Sequence, residues 1–505
     1  MTDFTRRAVL GATAVAAALP ATAQPRPGGT LKVSTSTRCA SLHPLKISAL
    51  PEYMAADMLY SGLTRLGLDF APQPDLALAW EANADATAFT FRLRPGVTFA
   101  HGRAFTAEDV VATVRAVLDP RTGSPARAAI GPIDTIEAVD TLTVRFGLKS
   151  PFADLPVAMA HPNARICPAD VLANDAAALE TRGFGTGPFR VDTYDSARLL
   201  RMVKNPTYFV PGLPYLDAVE QYLFPDLAAE SANFLNRTID VMLDVQQADY
   251  RRISTAQGVT GTRVKAGRFA NLVMRMDSKP FDDVRVRRAL ALSMDRPTIA
   301  ELVLEGYGRV APDNPISPEY RFFQDFAAPR YDPAAAKRLL TEAGYPQGVK
   351  IPLICSNRPA IRTQFGVAIK EMARAGGFDI DVQTIPHDTY LANVWRKGQF
   401  YVGYWNMRPT EDSMFTLLFT SDAPFADSAW NSKPFDDLVA AARRTTDTTE
   451  RKRLYADAQR LMAADLPYVL PFWQDVLTAS HAAVRDWTVH PLQLNFYVEK
   501  VWLGR

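Results

Sequence analysis

The stretch YWNMRPTED, residues 404–412, sets two aromatics, an amide, an arginine, a proline and two carboxylates beside an apolar run. Glu411 and Asp412 are the residue types of general acid–base catalysis. Tyr404, Trp405, Asn406 and Arg408 are those that wall, hydrogen-bond and charge-match a ligand. Catalysis would need a nucleophile, a metal or a second base nearby. The chain contains no G-x-S-x-G, H-E-x-x-H or G-x-x-x-x-G-K-[ST]. Its six histidines form neither H-x-H nor H-x-x-x-H, and there is no C-x-x-C, so a preformed metal cage has no local signature and no cofactor is implied. A triad assembled from distant residues stays open, because catalytic geometry need not be local.

Composition narrows the partners. Apolar residues make up 48% and charged residues 22%, which are globular values, and 505 residues exceed one ordinary core, so two or more lobes are expected. A formal charge of +2 without a run of five or six Lys or Arg excludes a nucleic-acid groove. The first residues, MTDFTRRAVLGATAVAAALPATAQ, carry Arg6 and Arg7, a short apolar core and an A-x-A site at residues 21–23: an export signal of twin-arginine type, with an ordinary secretory signal as the alternative. Residues 1–23 are therefore expected to be removed and the mature chain to work in the periplasm. Cys39, Cys167 and Cys355 are an odd set that cannot close a disulfide framework; all three read as structural, with one bridge left open.

The elements that must position any site are well punctuated. TLKVSTS and AFTFRL alternate as half-buried strands, the latter meeting a turn at Pro95-Gly96. FTAEDVVATVRAVLD reads as a helix with Thr106 as cap, Asp109 reaching back, and Val110, Val114 and Val117 on one face. GTGPF, residues 185–189, is a glycine-dependent tight turn and does not fit a dinucleotide fingerprint. DVRVRRALALSMDRPTIAELVLEG is a helix pair interrupted at Pro297, with Arg285, Arg287 and Arg288 on the exposed side. YDPAAAKRLLTEAGYPQG has Asp332 as cap, Pro333 in the first turn and Gly344 at the exit. From about residue 265 strands and helices alternate, as in an α/β lobe with a mixed sheet.

Five blocks in order then carry a resemblance: AFTFRLRPGVTFAHGRAFTAEDVVATV; GTGPFRV with KNPTYFVPGLPYLD; KPFDDVRVRRALALSMDR; YDPAAAKRLLTEAGYPQG; and LPYVLPFW. Together they resemble the periplasmic solute-binding proteins of ABC importers, in the peptide/nickel group (family 5, dipeptide- and oligopeptide-binding type). The resemblance implies an α/β, two-lobed periplasmic binding protein (type II, class C) with an inserted subdomain in the N-terminal lobe. The expected divisions are an N-terminal lobe over 24–264 with the insertion at about 46–175, a second lobe over 265–475, and a C-terminal return over 476–505. It also implies a monomeric, non-enzymatic receptor that closes on a small solute and presents it to the transmembrane subunits of an ABC permease.

Peptide-binding relatives usually carry an aspartate a few residues after the position of Trp405, where it holds the peptide's amino group. Here Arg408 stands near it, and Arg275 replaces an asparagine common before KPFDDV. Two arginines favour an anionic group, so the expected solute is peptide-like or a modified amino acid with such a group. The expected ligand residues are Thr37, Arg275, Tyr404, Trp405, Asn406 and Arg408. Two readings of Glu411 and Asp412 stay open: they receive an amine, or they pair with Arg408. The alternative functions are an exported peptide or amide hydrolase, and a binding protein for a metal chelate or haem.

Overall fold

The computed structural model describes residues 24–504. The export segment read over residues 1–23 lies outside them.

One twelve-stranded sheet runs through the molecule. Its main path is Phe378–Ile385, Val349–Ser356, Phe400–Trp405, Val259–Met274, Phe472–His481, Val241–Met242, Thr30–Thr35, Ala218–Leu223, Leu199–Lys204 and Phe189–Asp195. Val259–Met274 joins the two halves: residues 259–268 pair antiparallel with Phe472–His481, and residues 269–274 pair antiparallel with Phe400–Trp405. The chain crosses on this strand and returns on Phe472–His481. Two helix-backed half-sheets sharing crossing strands make this a two-lobed α/β fold. A separate four-stranded antiparallel sheet, in the spatial order Ala77–Ala82, Ala88–Leu93, Thr143–Leu148 and Ile133–Asp140, packs against the helix Ala107–Leu118.

Beyond the crossing, Val259–Met274 is buried on both faces, as a central strand covered on both sides must be. Alternate residues feed different cores. Phe269 and Val273 join a cluster with Trp405, Phe415 and Tyr455, whereas Ala270, Leu272 and Met274 join one with Phe281, Leu353 and Phe365. No described helix is long and apolar enough to cross a membrane.

Local punctuation acts largely as expected. Asp109 accepts the Thr106 N–H at 2.9 Å and its helix buries Val110, Val114 and Val117. Asp332 accepts the Ala335 N–H at 2.8 Å, and Gly344 ends that helix at φ +91°. Asp295 and Pro297 restart the interrupted helix pair as Arg296–Leu304.

The segment 185–188 bends as expected where side chains would obstruct it: a Cβ at Gly185 or Gly187 would overlap the carbonyl oxygens of Leu59 and Met58 respectively, although neither glycine has a positive φ. One expectation is corrected. Arg287 is buried, not exposed: its guanidinium donates to the carbonyls of Phe281 at 2.7 Å and Asp465 at 2.6 Å. It thereby caps the C-terminal end of the helix Thr448–Asp465, where a cation is favourable.

Candidate functional site

In open α/β sheets a ligand crevice forms beyond the carboxyl ends of parallel strands. The N-terminal half-sheet has such an edge. Thr30–Thr35 runs parallel to Ala218–Leu223 and Val241–Met242, and a cavity of about 370 Å³ opens where these strands end, bordered by Ser34, Thr35, Thr37, Leu50, Glu230 and Asp244. Glu230 accepts from the Ser34 hydroxyl at 2.6 Å. Burial raises the carboxyls of Glu230 and Asp244 above their ordinary values, with Arg268 opposing the shift at Asp244. The cavity is therefore a hydroxyl- and carboxyl-lined acceptor surface. The neighbouring N-terminus of helix Leu50–Leu59 is already satisfied: the Glu52 carboxylate accepts the Ser48 and Ala49 N–H groups at 2.8 and 3.0 Å.

The second half-sheet supplies the facing edge. Val349–Ser356 and Phe378–Ile385 are parallel, and Phe400–Trp405 joins in the same direction through Ile354 and Tyr401. Their carboxyl ends present Ser356, Ile385 and Trp405. Tyr404 is half-buried, and its hydroxyl donates to Gln474 at 3.2 Å. Trp405 is buried in an aromatic group with Trp395 and Phe425, and its indole Nε1 has no hydrogen-bond partner. Asn406 is exposed.

Arg408 follows. Its backbone N–H donates to the Tyr320 hydroxyl at 3.0 Å, its Nε is buried without a partner, and no carboxylate among the described residues pairs with it. Burial depresses its guanidinium below the ordinary value, and the neighbouring phenols of Tyr320 and Tyr53 only partly oppose that. Tyr53 belongs to the helix whose first residue, Leu50, borders the acidic cavity. His161, in the N-terminal half of the chain, also senses Arg408.

The carboxylates of the opening stretch are spoken for elsewhere. Glu411 accepts the Phe322 N–H at 2.6 Å, and Asp412 lies 3.0 Å from Arg443. Neither pairs with Arg408. Burial pushes Glu411 up to about 7 and Asp412 up to about 6. A carboxyl whose folded value exceeds its unfolded one binds more protons when folded, so stability falls as pH rises between the two values. For Glu411 that window runs from its ordinary 4.5 to about 7. Glu411→Gln, which keeps an acceptor for Phe322, is expected to flatten the fall in melting temperature across this window; an unchanged slope would refute it.

Arg275 does not join Arg408. Phe269 pairs with Trp405 and Met274 with Phe400, so Arg275 leaves the opposite edge of the sheet, six residues or about 20 Å along the strand from the register of Trp405. Its guanidinium is occupied by Asp277 at 3.0 Å and the Arg396 carbonyl at 3.2 Å. Strand register therefore separates the two arginines, and Arg275 does not join Arg408 as a ligand residue. Thr37 borders the acidic cavity, not the arginine end.

Glu230 and Asp244 were not anticipated, since isolated acids in VMLDVQ and DLAAES show no spacing that marks them. Arg362 was also missed, although a basic residue in the first turn of a helix runs against the macrodipole and is a readable anomaly.

The model for bacterial extracellular solute-binding proteins, family 5 middle, matches residues 71–427. The glutathione-binding protein of Escherichia coli K12 is 26% identical over 488 residues, covering 89% of this chain and 90% of that protein. The binding protein AgaA of A. tumefaciens R10, solved with agropinic acid, aligns at a TM-score of 0.77 with 24% identity over 94% of this chain and 99% of that one. DppA of Helicobacter pylori, solved with the peptide STSA, aligns at 0.76 with 23% identity over 95% and 99%. With most of its length matched and its fold shared, the chain belongs to the bacterial extracellular solute-binding proteins of family 5.

Proposed function

We propose that this chain is the receptor of an ABC importer, capturing a small peptide-like or modified amino-acid solute with an anionic group and delivering it to the permease. The observation that carries the anionic group is Arg408, a half-buried guanidinium at the crevice edge whose Nε is buried without a partner and which pairs with no carboxylate among the described residues. A ligand carboxylate would supply the missing acceptor through a bidentate pair. At the end of the first half-sheet, Glu230 and Asp244 offer acceptors for an ammonium group, so the two sheet ends have the polarity of a zwitterion. The relatives support the class: one is named for glutathione, and others were solved with an opine acid and a peptide.

In this reading the lobes are 24–264, with an insertion at about 46–175, and 265–475, with residues 476–505 returning to the first. The twin-arginine-like leader carries the protein out of the cytoplasm. The receptor acts as a monomer.

The test is mass spectrometry of solute released from freshly purified protein, followed by incubation of that solute with the protein. A small acid recovered intact is expected. Conversion to hydrolysis products would favour the hydrolase, and a co-purifying metal chelate or haem would favour the other alternative.

A further inference from the structure

Arg362 stands in the first turn of the helix Ile361–Ala373, directly after the loop that leaves the carboxyl end of Val349–Ser356. The residue is 8% exposed, and its Nε and Nη1 have no hydrogen-bond partner. No carboxylate among the described residues forms an ion pair with it. Its guanidinium lies 4.9 Å from the Tyr390 ring and 5.9 Å from the Tyr404 ring. Two cation–π contacts offset part of the cost of a buried charge, about 2 kcal/mol each when desolvated, but a ring face supplies no acceptor for the buried Nε and Nη1. Packing alone therefore does not account for it.

The surroundings favour an oxyanion. The helix Ile361–Ala373 has no side-chain cap and no acidic residue in its first turn, so its positive end is uncompensated. The Ser356 hydroxyl at the same strand end is committed within the loop, donating to the Arg358 carbonyl at 2.9 Å beside His387, so it leaves the open donors to Arg362. Tyr404, whose ring Arg362 covers, precedes Arg408 by four residues, so their backbones lie within about 14 Å.

We infer that Arg362, with the first turn of its helix, forms a second oxyanion subsite in the crevice, so that the solute carries two acidic groups, one at Arg362 and one at Arg408. This rests on the receptor reading and deepens it.

The probe is inorganic phosphate, a small oxyanion that either arginine can bind. Thermal melts of the full mature chain, stripped of ligand, would be run across a phosphate titration for wild type, Arg362→Met, Arg408→Ala and the double variant. Methionine keeps the apolar stem. The ligand-free Arg362→Met protein is expected to melt above wild type, and its half-saturating phosphate concentration to rise about tenfold. Arg362→Lys, which keeps charge without the fork, is expected to recover part of the protection and serves if the methionine variant does not fold. The double variant is expected to lose protection.

Phosphate protection in Arg362→Met equal to wild type overturns the inference, as does a wild type that phosphate does not protect. The outcomes separate the two readings. Loss only in Arg408→Ala removes the second subsite and leaves the receptor's anion anchor standing; loss only in Arg362→Met establishes the subsite and removes the anchor.

Discussion

Arg408→Ala is expected to weaken binding of a carboxylate-bearing solute by about 2–4 kcal/mol, roughly 30- to 1000-fold, measured by calorimetry. The size follows from the environment. An exposed arginine in such a role would contribute about 0.2–1 kcal/mol, but Arg408 is half-buried, and its Nε is shut off from water with no partner within the protein. Its loss would leave a buried ligand carboxylate without a charge-assisted donor. The same substitution is expected to raise the stability of the empty protein, because it removes an uncompensated charge. A structural arginine would behave in the opposite way. Unchanged affinity for the carboxylate would sink the assignment.

A larger effect on folding is expected at Arg165. Its guanidinium donates to Asp57 Oδ1 from Nε at 2.8 Å and again from Nη2, and both residues are essentially inaccessible to solvent. Asp57 Oδ2 accepts the Phe496 N–H at 2.6 Å, so this carboxylate also ties the C-terminal segment to the helix Leu50–Leu59. Removing one member of a buried pair strands the other, at about 3–5 kcal/mol. Arg165→Met is expected to lower unfolding stability by that amount in denaturant titrations and to speed amide exchange at Phe496. Adding Asp57→Asn should recover part of the loss, because the stranded charge is then gone. A single variant within about 0.5 kcal/mol of wild type would show that the pair contributes little.

Much of the fold was legible because local chemistry announces it. Asp332, Pro333 and Gly344 bracket a helix whose cap and exit behave as written, and Thr106 with Asp109 starts another. What was not legible depends on register or on distant partners. Sequence alone leaves open whether Arg275 and Arg408 share a pocket, and the pairing of Phe269 with Trp405 puts the two at opposite edges. Arg287 reads as solvated within a basic cluster, yet the Asp465 carbonyl, 178 residues downstream, claims it. Glu411 and Asp412 read either as acceptors for an amine or as partners for Arg408, and the structure commits them to Phe322 and Arg443 instead. The acidic cavity draws on Thr37, Glu230 and Asp244, which the first strand, a helix and a later strand end bring together. No local pattern could name that set.

At the crossing, Val264 pairs with Val476 and Arg268 with Gln474, so four steps on one strand face two on the other. A surplus of two preserves side-chain parity, because the strand period is two. Deleting two residues between these positions would shorten the tether and leave every later side chain in its own core. Deleting one would exchange the cores, driving Phe269 and Val273 toward the space that holds Ala270 and Leu272. The slack that lets one strand serve two lobes is thus quantised: even changes in its length alter reach, and odd ones undo the fold.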